Sequence, residues 1–271
     1  MELYDTTSRD INKLITTRYS TSFGLSSTLF DTDIRGDIYA IYGLVRIADE
    51  IVDTYRGEDA GEQLNDLEND TYRAITAGYS ANPVVHAFAL TARRYHIDQA
   101  VITAFFASMR MDLGEYTNTK RNYEKYVYGS AEAVGLMCLS VFINGDHARY
   151  EALAAGARAL GAAYQKINFL RDLAADKGEL GRWYFPDCTF ESFTDADKTA
   201  ITSDIRSDIK QARSALAKLP RSSKRAVTLS LSYYDRLLEK LEHASVGELR
   251  EQRLRIPDIT KLFLYAKARL S

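Results

Sequence analysis

The sequence predicts an all-α fold, a helical bundle of about ten helices in one domain covering residues 1–271. Three observations predict it. Apolar residues recur at helical spacing through most of the chain, and strand-like alternation is nowhere convincing. Only four prolines occur, Pro83, Pro186, Pro220 and Pro257, each where a periodic segment starts or stops. No period of about 20–50 residues repeats, which argues against a helical solenoid.

The elements follow in order. An N-terminal helix is predicted near residues 8–18, then a loop from Tyr19 to Phe30. A long helix runs from about Asp33 to Tyr55, with further helices near 58–77, 83–94 and 97–115. Later helices lie near 121–143, 147–175, 195–218, 222–243 and 258–269, and no Pro/Ser-rich linker divides them.

Composition narrows the function. A formal net charge of -2 leaves no broad basic field, so no nucleic-acid partner is expected. Cys138 and Cys188 make no disulfide framework and point to a reducing compartment. The N-terminus lacks the basic and apolar regions of a signal peptide, and the apolar run from Ala133 to Ile143 is too short to span a bilayer. The expectation is a soluble, cytoplasmic protein. Its 18 tyrosines are the one compositional oddity, useful wherever a wall must be apolar yet polarisable.

Two stretches carry polar groups where a core stripe belongs. In Gly161–Pro186, Gln165, Asn168, Asp172 and Asp176 recur at spacings of three, four and four, which stacks them on one helix face. Asp172 and Asp176 are like charges one turn apart, at a cost of roughly 0.2–0.5 kcal/mol unless a cation sits between them. In Ile41–Asp53, Asp49 and Asp53 are spaced the same way, with Arg46 one turn before Glu50. Chance alone gives roughly five such acidic pairs in a chain with 37 acids. The neighbours distinguish these two: Tyr42, Val45, Ile51 and Val52 surround one, and Gln165 and Asn168 precede the other. An exposed acidic face rarely needs such company.

Carboxylates without His or thiolate suit Mg²⁺, or Mn²⁺ as the other hard ion, bridging to phosphate oxygens. Two facing acidic pairs imply a metal-bound diphosphate between them, with Arg46, Arg171 and Arg182 completing a clamp on a departing group. A carbocation left behind needs a dry aromatic pocket. Phe23, Tyr42, Tyr123, Tyr126, Tyr128 and Tyr164 are candidates for its wall, against the plainer reading of each as helix core.

With these residues in view, the chain resembles the squalene/phytoene synthase family of head-to-head prenyl synthases along nearly its whole length. Ser20-Thr-Ser22-Phe23 resembles the family's N-terminal Ser-x-Ser-Phe element, and Tyr42, Arg46, Asp49 and Asp53 its first acidic motif. Tyr126-Val-Tyr128-Gly-Ser-Ala131-Glu-Ala-Val134-Gly135 resembles its Tyr-rich segment. Gln165-x-x-Asn168-x-x-Arg171-Asp172-x-x-x-Asp176 with Gly181-Arg-x-Tyr-Phe-Pro186 resembles the second acidic motif and is the most specific element. Tyr234, Arg253, Arg255 and Lys261 sit where the family keeps a pocket tyrosine and basic residues. Two positions depart: Glu50 stands where the family has Asp, and Glu132 where it has Gly.

The resemblance implies an isoprenoid-synthase bundle with a central cavity. Asp49, Asp53, Asn168, Asp172 and Asp176 would hold the metal, Tyr126 and Tyr128 would steer the cation or relay a proton, and Ser20, Ser22, Phe23, Tyr42, Arg46, Gln165, Arg171, Arg182, Tyr234 and Arg255 would bind substrate. Two prenyl diphosphates would condense through a cyclopropyl diphosphate. Two geranylgeranyl diphosphates giving phytoene is the favoured reading. The alternative is squalene or dehydrosqualene synthesis from farnesyl diphosphate, with NADPH needed only for squalene. From another class, a carboxylate-bridged di-iron bundle calls for Glu-x-x-His pairs, and none of the four histidines has one. A non-catalytic assembly or binding protein on the same fold is the remaining reading. The basic cluster Arg250–Arg255 reads as a solvated face, or as a peripheral membrane contact for release of a water-insoluble product.

Overall fold

The computed structural model describes residues 1–55, 57–114, 117–180 and 182–270, leaving aside the side chains of residues 179 and 180. Gly181 of the second acidic motif and the end of the helix predicted over 97–115 therefore lie outside the described residues. The all-α prediction holds, with no strand among the described residues. The helices are α1 (Glu2–Tyr19), α2 (Thr21–Ser27), α3 (Thr32–Asp49), α4 (Ala60–Ala77), α5 (Pro83–Arg94), α6 (Gln99–Met111) and α7 (Lys120–Val127). They continue as α8 (Ala133–Phe142), α9 (His147–Arg171), α10 (Leu173–Leu180), α11 (Asp195–Leu216), α12 (Arg221–His243), α13 (Val246–Glu251) and α14 (Asp258–Leu270).

Local chemistry explains where the chain departs from its apolar pattern. The expected loop after α1 contains α2 because Ser20 caps it, its Oγ accepting from Phe23 N at 3.1 Å. Seven residues are too few to show a period. The long helix ending near Tyr55 is α3 followed by a π-helical turn over Glu50–Tyr55. The helix predicted over 121–143 is α7 and α8 joined by a second π turn, Tyr128–Glu132. That turn is squeezed between α6 and α9: a Cβ on Gly129 would sit 2.3 Å from the Ala104 carbonyl, and one on Gly161 2.5 Å from the Ala131 carbonyl. The helix predicted over 147–175 breaks at Asp172, although Asp172 N still donates to Asn168 O and Asp176 N to Asp172 O, both at 2.8 Å. The four-residue register thus survives the kink.

Among the described residues two large apolar cores form, beside a small third cluster of Leu139, Ile143 and Leu153. One gathers Ile41, Leu44, Phe88, Phe105, Phe106 and Met137 from the N-terminal half; the other gathers Ile167, Leu170, Ile205, Leu238 and Leu241 from the C-terminal half. Leu29, Leu160 and Leu216 touch both and mark the seam. No helix among the described residues is long and apolar enough to cross a membrane.

Candidate active site

The two acidic motifs, over a hundred residues apart in sequence, meet through one arginine. Arg182 takes its position from Asp176, whose carbonyl accepts its backbone N–H at 2.9 Å. From there its Nη1 donates to Asp53 Oδ1 at 2.7 Å and lies 3.3 Å from Asp112 Oδ1, while Nη2 donates to the Asp112 carbonyl at 3.0 Å. Asp112 was not singled out by any sequence pattern. It is an isolated acid between Met111 and Leu113 at the end of α6, with a side chain only 3% exposed, and it also accepts from Tyr126 Oη at 2.9 Å.

These carboxylates sit in an unfavourable field. Asp49 and Asp53 occupy the last turns of α3 and its π extension and Asp112 caps α6, so they face the negative ends of helix dipoles. Burial, and next the charge of Asp53, pushes Asp49 up to about 6. Burial, then Asp172, lifts Asp176 to about 7, with Asp53 of the other motif contributing further. Burial also lifts Asp112 to about 7 against the pull of Arg182. A site that resists its own negative charge is a site for cations.

Arginines occupy the rest of the rim. Arg46 pairs with both Asp49 and Glu50, so Glu50 is turned back onto its own helix. Arg171 Nε donates to Asp172 Oδ1 at 2.9 Å, and Arg253, from the segment after α13, pairs with the same carboxylate at 2.5 Å. Arg253 is thus the tail residue at the acidic site. Arg255 is exposed, with its carbonyl held by Lys240 Nζ at 2.8 Å.

Asn168 carries the most telling atom: its Oδ1 is buried with no hydrogen-bond partner. A desolvated acceptor one turn before Asp172 fits a hard cation, as do the carboxylates around it. Among the described residues no three Asp, Glu, His or Cys side chains are gathered tightly enough to hold an ion unaided. Arg182, with Arg46, Arg171 and Arg253, supplies the positive charge among them.

Aromatic pairs flank the acids. Phe23 stacks on Tyr42 at 5.0 Å, joining α2 to α3, and burial raises the Tyr42 hydroxyl to about 12. Tyr164 stacks on Tyr234 at 3.7 Å, joining α9 to α12, and its hydroxyl bonds Ser230 at 3.0 Å. Tyr126 lies against Phe169 and Tyr184, so it joins the acidic cluster through Asp112. Tyr128 goes elsewhere, against the N-terminal core with Arg158 over its ring at 5.3 Å. Arg158 also binds Glu132 at 2.6 Å, which turns that carboxylate into a helix-to-helix tie. Ser22 and Gln165 are half-buried on α2 and α9.

Residues 16–260 match the squalene/phytoene synthase family model. The chain belongs to the squalene/phytoene synthase family. It is a prenyltransferase of that family, whose reaction is head-to-head condensation of prenyl diphosphates. It is 29% identical to the phytoene synthase of Arthrospira platensis, over 97% of this chain and 93% of that protein. It is 30% identical to the chloroplastic phytoene synthase 2 of Solanum lycopersicum, over 83% of this chain and 78% of that one. A crystal structure of a dehydrosqualene synthase shares the fold, with a TM-score of 0.77 at 20% identity over 98% of this chain and 96% of that one.

Proposed function

We propose that this synthase joins two geranylgeranyl diphosphates head to head through a cyclopropyl diphosphate and releases phytoene by proton loss. The observation that carries this reading is Arg182, which is held by the second acidic motif and reaches Asp53 of the first at 2.7 Å, so that both motifs serve one site. The relatives of high coverage named phytoene synthase support the twenty-carbon substrate.

Asp49, Asp53, Asn168, Asp172 and Asp176 would hold Mg²⁺, with Mn²⁺ as a substitute. Bound there, the ion supplies neutralisation of diphosphate that the carboxylates alone would repel. Arg46, Arg171 and Arg182 orient the diphosphate oxygens and stabilise the charge of the leaving group. The Phe23–Tyr42 and Tyr164–Tyr234 pairs exclude water and present ring faces to the allylic cation. Tyr126, anchored on Asp112, fixes the wall beside the acids. The prenyl chains lie along the seam between the two cores, and the whole chain acts as one catalytic domain.

The test is incubation of purified protein with Mg²⁺ and geranylgeranyl or farnesyl diphosphate, with and without NADPH, and mass analysis of the extracted hydrocarbon. A forty-carbon product without NADPH is expected. A thirty-carbon product overturns the chain length, and no product with either substrate overturns the activity.

A further inference from the structure

Asp172 is a carboxylate with no lone pair left to give. Arg171 grips it from the end of α9, Nε donating to Oδ1 at 2.9 Å and Nη2 to Oδ2 at 2.5 Å. Arg253 grips it from the segment after α13, Nε lying 2.5 Å from Oδ1 and Nη2 donating to Oδ2 at 3.3 Å. Each oxygen thus faces two guanidinium nitrogens. An ionised carboxylate offers about four lone-pair sites, so two such forks saturate it. A hard cation that takes Asp172 as a ligand needs one of those sites and is repelled by the positive charge beside it.

The two arginines are held unequally. The Arg253 side chain is 46% exposed, against 22% for Arg171, 25% for Arg46 and 10% for Arg182. Arg46 and Arg182 each bridge two acids, whereas among the described residues Arg253 pairs with Asp172 alone. The backbone under Arg253 is pinned on both sides. Upstream, Arg250 Nη2 donates to the carbonyls of Phe190 and Phe193; downstream, Lys240 Nζ donates to the Arg255 carbonyl at 2.8 Å. Between these anchors residues 252–257 are non-helical, with Leu254 and Ile256 on the C-terminal core and Arg253 and Arg255 exposed in alternation with them. A change of rotamer is therefore enough to take Arg253 off Asp172 while the chain that carries it stays in place.

We propose that Arg253 is an exchangeable counter-ion, which holds Asp172 in the metal-free protein and yields it to the cation, and so sets the metal affinity of the second acidic motif. This rests on the metal reading of the acidic site given above. Arg171 keeps its grip in both states, so Asp172 is never left unpaired. The exchange balances the charge of the metal-free site and lowers its affinity for a bare divalent ion.

The test is Mn²⁺ binding to the full-length protein without diphosphate, read from the loss of the free-ion electron paramagnetic resonance signal. Arg253→Gln should bind the ion about threefold to tenfold more tightly than the parent, with an unchanged far-UV CD spectrum. Loss of a merely structural side chain would not tighten binding. Arg255→Gln removes the same charge from an exposed position two residues along and should leave the Mn²⁺ Kd within about twofold of the parent. Saturating Mn²⁺ should also raise the reactivity of Arg253 toward phenylglyoxal, followed by peptide mapping. Equal or weaker binding by Arg253→Gln, equal tightening by Arg255→Gln, or Arg253 labelling indifferent to Mn²⁺ overturns the proposal and leaves the metal site standing. No Mn²⁺ binding by any of the three proteins overturns the metal reading itself, and the proposal with it.

Discussion

Arg182 Nη1 lies 2.7 Å from Asp53 Oδ1, joining residues 129 positions apart with a side chain only 10% exposed. Burial works against its charge, and Asp112, Tyr184 and Asp53 more than offset it. Without this guanidinium the helix ends of α3 and α6 would present unpaired carboxylates to each other. Arg182→Gln should therefore cost about 3–5 kcal/mol of stability in the absence of metal. Urea unfolding reads this, and added Mg²⁺ should recover part of the loss. A change below about 1 kcal/mol would mean that Arg182 is not the counter-ion.

Asp172 is the carboxylate on which Arg171 and Arg253 converge. Asp172→Asn should lower Mg²⁺-dependent turnover about 100-fold or more while leaving the helical CD signal intact. Unchanged turnover would remove Asp172 from the metal site.

The orphaned Oδ1 of Asn168 makes a different prediction. A buried acceptor without a partner costs about 1–3 kcal/mol, so Asn168→Leu should leave metal-free stability within about 1 kcal/mol of the parent, after loss of its amide contact to Tyr234. The thermal shift produced by Mg²⁺ with inorganic diphosphate should disappear. A shift of the parent's size would show that this oxygen meets no cation.

Asp176 sets a pH dependence whose sign follows from its upward shift. The folded protein keeps this proton until about pH 7, whereas an unfolded Asp releases it near its ordinary 3.8. Between those values the folded state binds more protons, so the metal-free protein loses stability as pH rises through the window. Asp176→Asn should flatten that slope and stand above the parent beyond pH 7. Parallel urea midpoints from pH 4 to pH 8 for the two proteins would contradict the assignment.

The sequence made the acidic motifs legible because each lies within one continuous stretch of helix, where a spacing of three or four is also a direction in space. Gln165, Asn168, Asp172 and Asp176 keep their register through the break in α9 because the Asn168 and Asp172 carbonyls still accept four residues on. The long helices were legible for the same reason. Short elements were not: α2 and α13 hold seven and six residues, less than two turns each, and depend on Ser20 and Ser245 as caps rather than on any apolar period. The π turns at Glu50–Tyr55 and Tyr128–Glu132 were invisible because a one-residue bulge leaves the apolar pattern almost unchanged.

What the sequence by itself determined is the all-α class, the two acidic helix faces and their suitability for a hard cation, since these follow from residue type and local spacing. Which cation stands between them was a tertiary decision. Asp112 belongs to the site only because α6 ends where α3 does, Arg253 rather than Arg255 reaches Asp172 only because of the path taken after α13, and Glu132 is spent on Arg158 rather than on a pocket. Contacts of this kind join residues far apart in the chain, and no local period encodes them. The packing of helices against one another sets them.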